Sequence, residues 1–262
     1  MRRILFFDID GTLVDDRTQK VPESAIEGML KAQENGSLLF VNTGRCKSFI
    51  PGCLSEIPFD GYTYACGAHI EYKEKVLFEA FVADKDIRLI RDAMKATGLQ
   101  GIFQGPRYCY FDPDIVPYDN LARFMKMYDR DYHTERRNMY EEDMEINKLV
   151  TFRDDSCDYE KFLSLTQDKY QLIDNGGGFT EILPLPYTKA SCMDYLLDYF
   201  KISRDECYVF GDSPNDLPMM LNTKNSICLG NGYDSVKEIS GYVTTAIDDD
   251  GIYNALVHYG II

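Results

Sequence analysis

Histidine is scarce in this chain: three occur in 262 residues, at 69, 133 and 258, and none stands at a metal-ligand spacing from another. The eight cysteines, at 46, 53, 66, 109, 157, 192, 207 and 228, include no C-x-x-C pair. These absences argue against a zinc site, and without an export signal the thiols are expected to be reduced and mostly buried. No apolar run approaches the length of a membrane span, and the N-terminal patch Ile4 to Phe7 is too short for a signal-peptide core. The chain is therefore expected to stay in the cytoplasm. Positive charge is also short, with 28 Lys and Arg against 43 Asp and Glu and a net charge of −15. The resulting long-range field repels nucleic acid and anionic membranes, so neither is an expected partner, and a site for any small anion must be locally positive.

What is present is core-forming material, 45% hydrophobic and 13% aromatic, in a length that suits one large domain or two modest ones. Strand-like and helix-like patterns alternate, which predicts an α/β fold with a parallel sheet. Ile4 to Phe7 reads as the first strand. A helix follows, with Pro22 at its first position, Ile26, Met29 and Leu30 at helical spacing, and Asn35-Gly36 as a stop. Leu38 to Val41 is a second buried strand, ending in Asn42-Thr43-Gly44-Arg45 and leading to another short helix. The pattern then changes, and residues 82–184 read as an inserted α+β module. Asp84 is expected to cap a helix stopped by Gly98, strands are expected near 101 to 111 and at Lys148 to Phe152, and Asn175 to Gly178 reads as a hairpin turn. Regular alternation resumes with Thr188 as a helix N-cap, a strand at Cys207 to Phe210, a short strand at Ile227 to Leu229 and a last helix at Ile252 to Val257. There are no internal repeats or low-complexity segments. Residues 1–81 and 185–262 thus form one domain interrupted by the 82–184 module.

Three apolar strands end abruptly in polar loops, at Asp8, Thr43 and Asp212. In open parallel sheets ligands bind beyond the carboxyl ends of the strands, so these loops are expected to meet at one crevice. Asp8 and Asp10 lie two residues apart, a spacing that puts both side chains on one face of an extended segment, and Gly11 lets the backbone turn sharply. A carboxylate is ionised at neutral pH and can attack without a base, while its neighbour is free for proton transfer. The same pentapeptide also suits an ordinary Asp-Gly turn. Asp212 and Asp216 bracket Pro214-Asn215. With Asp8 and Asp10 they offer the hard oxygen ligands that suit Mg²⁺, although Asp-Ser-Pro-Asn-Asp also suits a plain helix start. Thr43 brings a hydroxyl and Gly44 a backbone N–H for an anion at a helix start, and Lys189 brings an ammonium.

Taken in order, Asp8-Ile9-Asp10-Gly11-Thr12, Thr43-Gly44-Arg45, Lys189 and Gly211-Asp212-Ser213-Pro214-Asn215-Asp216 resemble the four motifs of the haloacid dehalogenase-like (HAD) phosphatases, in particular their Cof-type sugar-phosphatase branch. The 82–184 insertion resembles the cap of that branch, and Leu229-Gly230-Asn231-Gly232 with Tyr242-Val243-Thr244 resembles its C-terminal pattern. The resemblance implies a Rossmann-like core and a cap that closes over the substrate. It implies that Asp8 attacks phosphorus to give an aspartyl-phosphate while Asp10 acts as acid and then base. It further implies Mg²⁺ held by Asp8, the Asp10 carbonyl and Asp212 with Asp216 behind them, and a phosphoryl group held by Ile9, Thr43, Gly44, Lys189 and Asn215. The sequence departs from the branch at Cys66-Gly67-Ala68, where Asn-Gly is usual, at Thr188-Lys189-Ala190 and at Leu229 to Gly232.

The leading expectation is a Mg²⁺-dependent phosphatase of small phosphorylated metabolites, sugar phosphates foremost. A phosphosugar mutase is the near alternative, and a catalytically silent phosphometabolite binder a further one. Substrate identity and oligomeric state are not legible. Within the inserted module Arg107, Tyr108, Tyr110 and the turn at Gly176 to Gly178 are candidates for substrate choice, with Tyr and Phe there favoured as packing residues. Arg45 is left between substrate contact and surface pairing.

Overall fold

In the computed structural model, which describes residues 2–132, 135–166, 170–174 and 176–262, the run Ile4–Phe7 is a strand, β1, with all four residues buried. His133 and Asn175, both singled out in the sequence, lie outside the described residues. A helix α1 (Glu23–Glu34) leads to β2 (Leu38–Asn42), β3 (Gly61–Tyr64), β4 (His69–Tyr72) and β5 (Lys75–Glu79). Next come α2 (Asp84–Thr97), β6 (Gln100–Gln104), β7 (Cys109–Phe111), α3 (Asp119–Asp131), β8 (Arg136–Asn138), β9 (Lys148–Phe152), α4 (Tyr159–Thr166), β10 (Tyr170–Asp174) and β11 (Phe179–Pro184). The chain ends with α5 (Lys189–Phe200), β12 (Cys207–Gly211), α6 (Leu217–Met220), β13 (Asn225–Cys228), α7 (Asp234–Lys237), β14 (Tyr242–Val243) and α8 (Gly251–His258). No helix among the described residues is long and apolar enough to cross a membrane.

The chain divides into two compact units, one of Met1–Gly44, Cys53–Phe78 and Tyr187–Ile262, the other of Arg45–Gly52 and Glu79–Pro186. In the first, the sheet runs β14-β13-β12-β1-β2-β3-β4-β5. β1 lies between β12 and β2 and is parallel to both, Ile4 facing Cys207 on one side and Leu38 on the other. A strand paired on both edges and covered on both faces needs apolar side chains in both directions, which is why Ile-Leu-Phe-Phe shows no alternation. The strand order reverses between β1 and β12, and such a reversal opens a crevice at the carboxyl ends of the two strands.

The expected α/β architecture is present, but the sheet is mixed rather than parallel throughout. β4 runs antiparallel to β3 because only residues 65–68 join them, and parallel neighbours need a crossover of a dozen or more residues. The helix expected directly after Gly44 is a single 3₁₀ turn starting at Lys47, too short to carry a helix dipole. Asp84 is the first residue of α2 rather than its cap, which is Ala83. Thr188 caps α5 as expected. Its hydroxyl accepts from Ser191 N while Ser191 Oγ accepts from Thr188 N, satisfying two otherwise orphaned donors. All eight cysteines are free thiols, six of them buried.

The second unit is a sheet ordered β10-β11-β9-β6-β7-β8 with helices on both faces. Phe103, Leu149 and Ile182 pack with Ile90 and Met94 of α2 and Phe162 of α4. Ile102, Val150 and Phe152 pack with Leu121 and Tyr128 of α3. Arg45–Gly52 belongs to this unit because Phe49 stacks on Tyr132, Tyr128 and Phe124 at centroid distances of 4.1, 5.4 and 5.3 Å. Arg45 donates to Phe49 O at 3.1 Å and to the Tyr132 hydroxyl, both within this unit.

Candidate active site

Asp8 is the first residue past β1, and its N–H donates to Phe210 O at 3.0 Å. One strand over, Asp212 follows the last residue of β12, so parallel pairing of Phe7 with Phe210 brings two carboxylates 204 residues apart in sequence to the same sheet end. Lys189, in the first turn of α5, places Nζ 2.6 Å from Asp8 Oδ1 and 2.6 Å from Asp216 Oδ1. Asp8, Lys189 and Asp216 are 4%, 1% and 0% exposed, so these pairs are shielded from water and salt.

The loop after Asp8 is tight. Leu13 N and Val14 N both donate to Ile9 O, at 2.9 and 2.8 Å, and Gly11 N donates to Val14 O at 3.0 Å. Gly11 has φ +75°, and a Cβ there would stand 2.5 Å from Asp212 Oδ2, so glycine is required for both backbone and space. Thr12 Oγ1 donates to Asp212 Oδ1 at 2.8 Å. Because the strand stops at Phe7, the two-residue face rule no longer governs Asp10. Its side chain is exposed while Asp8 is buried, although its charge still reaches Asp8.

Carboxylate oxygens of Asp8, Asp212 and Asp216 lie within 4.8 Å of one another. Asp216 is committed to the protein: Oδ1 accepts from Lys189 and Oδ2 from the backbone N–H of Asp212 and Ser213 at 3.0 and 3.2 Å. Burial pushes the Asp8 carboxyl well above its usual range and the Asp216 charge adds to this, while Lys189 acts against both. Asp212 is pushed up to about 7, by burial and then by Asp216, with the Thr12 hydroxyl opposing. Burial alone would depress the Lys189 ammonium, but Asp216 and Asp8 outweigh it and the net movement is upward. When ionised, the three carboxylates outnumber the ammonium by two charges. A buried site with that imbalance and oxygen-only donors fits a hard divalent cation.

The other sequence candidates have local partners of their own. Thr43 is buried just beyond β2, its N–H donating to Thr63 O at 2.9 Å and its carbonyl accepting from Cys66 N at 3.0 Å. Gly44 is buried beside it. Asn215 is half-buried and its side-chain oxygen accepts from Ser213 Oγ at 2.8 Å. Three residues given no role in the sequence brace the site. Asn231 donates to Gly11 O and accepts from Ile247 N, both at 2.8 Å. Asn42 donates to Lys189 O at 2.9 Å, and Thr12 fixes Asp212. Asn231 and Thr12 stand inside quoted motifs, so their position was visible though their partners were not; Asn42 gives no signal beyond ending an apolar strand.

A mostly parallel α/β sheet with Asp8 and Asp212 at the carboxyl ends of its two central strands, and a buried lysine joining Asp8 to Asp216, is the arrangement of a ligand-binding crevice at a switch point. Comparison with known proteins narrows the class: residues 5–256 match the family model of the haloacid dehalogenase-like hydrolases. The chain belongs to that family, is of its Cof type and is an enzyme. It is 23% identical over 275 residues to a Bacillus subtilis (strain 168) protein named "Putative phosphatase YkrA", with 99% of this chain and 98% of that protein covered. Among solved structures it is similar to the HAD subclass IIB sugar phosphatase BT4131, at 26% identity and a TM-score of 0.85 over 99% of this chain and 100% of that one. A hypothetical protein from Geobacillus kaustophilus HTA426 shares the fold at a TM-score of 0.88 and 23% identity, with both chains fully covered.

Proposed function

We propose that this protein is a Mg²⁺-dependent phosphatase of small phosphomonoesters, sugar phosphates foremost, working through an aspartyl-phosphate on Asp8. The observation that carries this reading is the buried Asp8 carboxylate at the switch point of the sheet, ion-paired to Lys189 and faced by Asp212. Relatives named as phosphatases, one of them a sugar phosphatase, support it.

An Asp8 oxygen attacks phosphorus, the ester P–O bond breaks, and the departing sugar oxygen takes a proton from Asp10. Asp10 then takes a proton from water as that water attacks phosphorus, which breaks the Asp8–phosphate bond and releases inorganic phosphate. Exposure suits Asp10 to exchange protons with substrate and water, whereas burial suits Asp8 to attack with little solvent to displace. Lys189 keeps positive charge beside the attacking group and, with Thr43, Gly44, Asn215 and the Ile9 backbone, holds the phosphoryl oxygens. The metal would be held by the carboxylates of Asp8 and Asp212 and the Asp10 carbonyl, with Asp216 fixing Lys189 and the Asp212 backbone from behind. When bound it offsets the excess negative charge and draws charge from the phosphoryl oxygens.

The test is Mg²⁺-dependent phosphate release across a panel of phosphorylated sugars and related metabolites, with Asp8→Asn run in parallel. Release by the wild type and a loss of about three orders of magnitude or more in the variant are expected, since the amide keeps the shape and removes the nucleophile. Full activity of Asp8→Asn, or in excess chelator, would contradict the reading. Isomerised sugar phosphate without free phosphate would identify a mutase.

A further inference from the structure

One face of the β3–β4 hairpin carries a buried set of groups that the proposed chemistry does not use. Register pairs Tyr64 with His69 and Tyr62 with Glu71, so all four side chains share that face, while Thr63 and Ile70 point the other way. His69 and Glu71 are 2% and 5% exposed. His69 Nε2 and Glu71 Oε1 are 3.0 Å apart, and the Tyr64 hydroxyl donates to Glu71 Oε2 at 3.4 Å. Burial, and after it the Glu71 charge, pushes the Tyr64 phenol far above its ordinary range, so it stays a donor. The Tyr64 ring meets the His69 ring edge-on at 5.0 Å and stacks on Tyr62 at 5.4 Å.

The hairpin's tip is the costly part. Ala65, Cys66 and Gly67 have φ of 48°, 52° and 91°, and each non-glycine residue held left-handed costs about 1–2 kcal/mol. That turn touches two phosphate-site elements at once. Cys66 N donates to Thr43 O at 3.0 Å, and a Cβ on Gly67 would stand 2.9 Å from the carbonyl of Thr188, the cap of the helix that carries Lys189.

We propose that Glu71 and His69, with Tyr64, are positioning residues: they clamp the last rung of the hairpin, hold the 65–67 turn left-handed, and through it set Thr43 and the start of α5 for phosphate. The inference rests on the phosphatase reading for its link to phosphate, but the clamp itself is measurable without turnover. Two readouts apply to Glu71→Gln, namely hydrogen exchange of the Cys66 amide and calorimetric binding of inorganic phosphate with Mg²⁺ present. Exchange about tenfold or more faster and phosphate affinity about tenfold weaker are expected, the loss of one buried charge-assisted contact. Tyr195→Phe, which deletes a bond to Leu77 O in the same unit, is expected to change neither. Should Glu71→Gln fail to fold, Tyr64→Phe removes a single donor and is read the same way, with smaller shifts. A lower melting temperature with Cys66 exchange and phosphate affinity both within about twofold of wild type would overturn the proposal and leave a purely structural cluster. If the wild type releases no phosphate from any compound, the phosphatase reading falls, and unchanged or accelerated Cys66 exchange still decides the clamp.

Discussion

Lys189 is bonded to both Asp8 and Asp216, and it is almost fully buried. Lys189→Met keeps much of its volume but leaves two buried acids without a counter-charge. Such a loss costs about 3–5 kcal/mol, so urea unfolding of the metal-free protein at pH 8 is expected to show a destabilisation of that order together with lost activity. An unchanged midpoint would mean that the ammonium is not what holds the acids together. Asp212 supplies the pH dependence. Its folded pKa of about 7 lies above the ordinary 3.8, so the folded state binds this proton more tightly than the unfolded one. Its stabilising contribution is therefore complete below about pH 4 and is lost as pH rises through about 7. The chelated protein is expected to melt lower at pH 8 than at pH 5, and the rise in melting temperature on adding Mg²⁺ is expected to be larger at pH 8. Equal metal-induced shifts at both pH values would contradict it.

At the scale of elements, α5 is positioned by its cap. Thr188→Ala removes the hydroxyl that accepts from Ser191 N, a change worth about 0.5–2 kcal/mol in a helix start. Because Lys189 is the next residue, kcat is expected to fall more than thermal stability alone explains; a variant with lowered melting temperature and full kcat would show that the lysine is held by its carboxylates instead. Thr188 as a cap was legible because capping chemistry is local. β1, β2 and β12 were legible for the same reason, since continuous apolar runs of four or five residues between polar loops have few other uses. No strand is expected from the sequence at His69–Tyr72, so the antiparallel return that makes the sheet mixed has no counterpart among the expected elements; the shortness of the turn before that strand sets its direction. The turn at Lys47 is 3₁₀ rather than the expected helix, a distinction that two or three apolar residues cannot encode because they fix no period. Asn231 and Asn42 stayed silent because a side-chain amide bonded to a distant backbone leaves no pattern in its neighbours.

For the molecule as a whole, the chain passes between its two units after Gly44, Gly52, Phe78 and Pro186. The second unit is thus not one contiguous insertion. A protein in which residues 79–186 are replaced by a short linker would keep Phe49 but lose the rings of Phe124, Tyr128 and Tyr132 that bury it. It is expected to self-associate on size-exclusion chromatography, and a monomer with a cooperative melt would contradict this. Residues 45–52 join the stretch 79–186 through ring stacking that no local sequence pattern announces. The separation of 181 residues between Asp8 and Lys189 also has a meaning in time. A ribosome adding about 5–20 residues per second makes the lysine roughly 10–40 s after the aspartate. For that interval the N-terminal strand of the nascent chain has no β12 beside it, and its aspartate has neither lysine nor partner acids. The cluster of acids and lysine therefore cannot assemble until the stretch from Lys189 to Asp216 has been made and slots in beside the first ten residues.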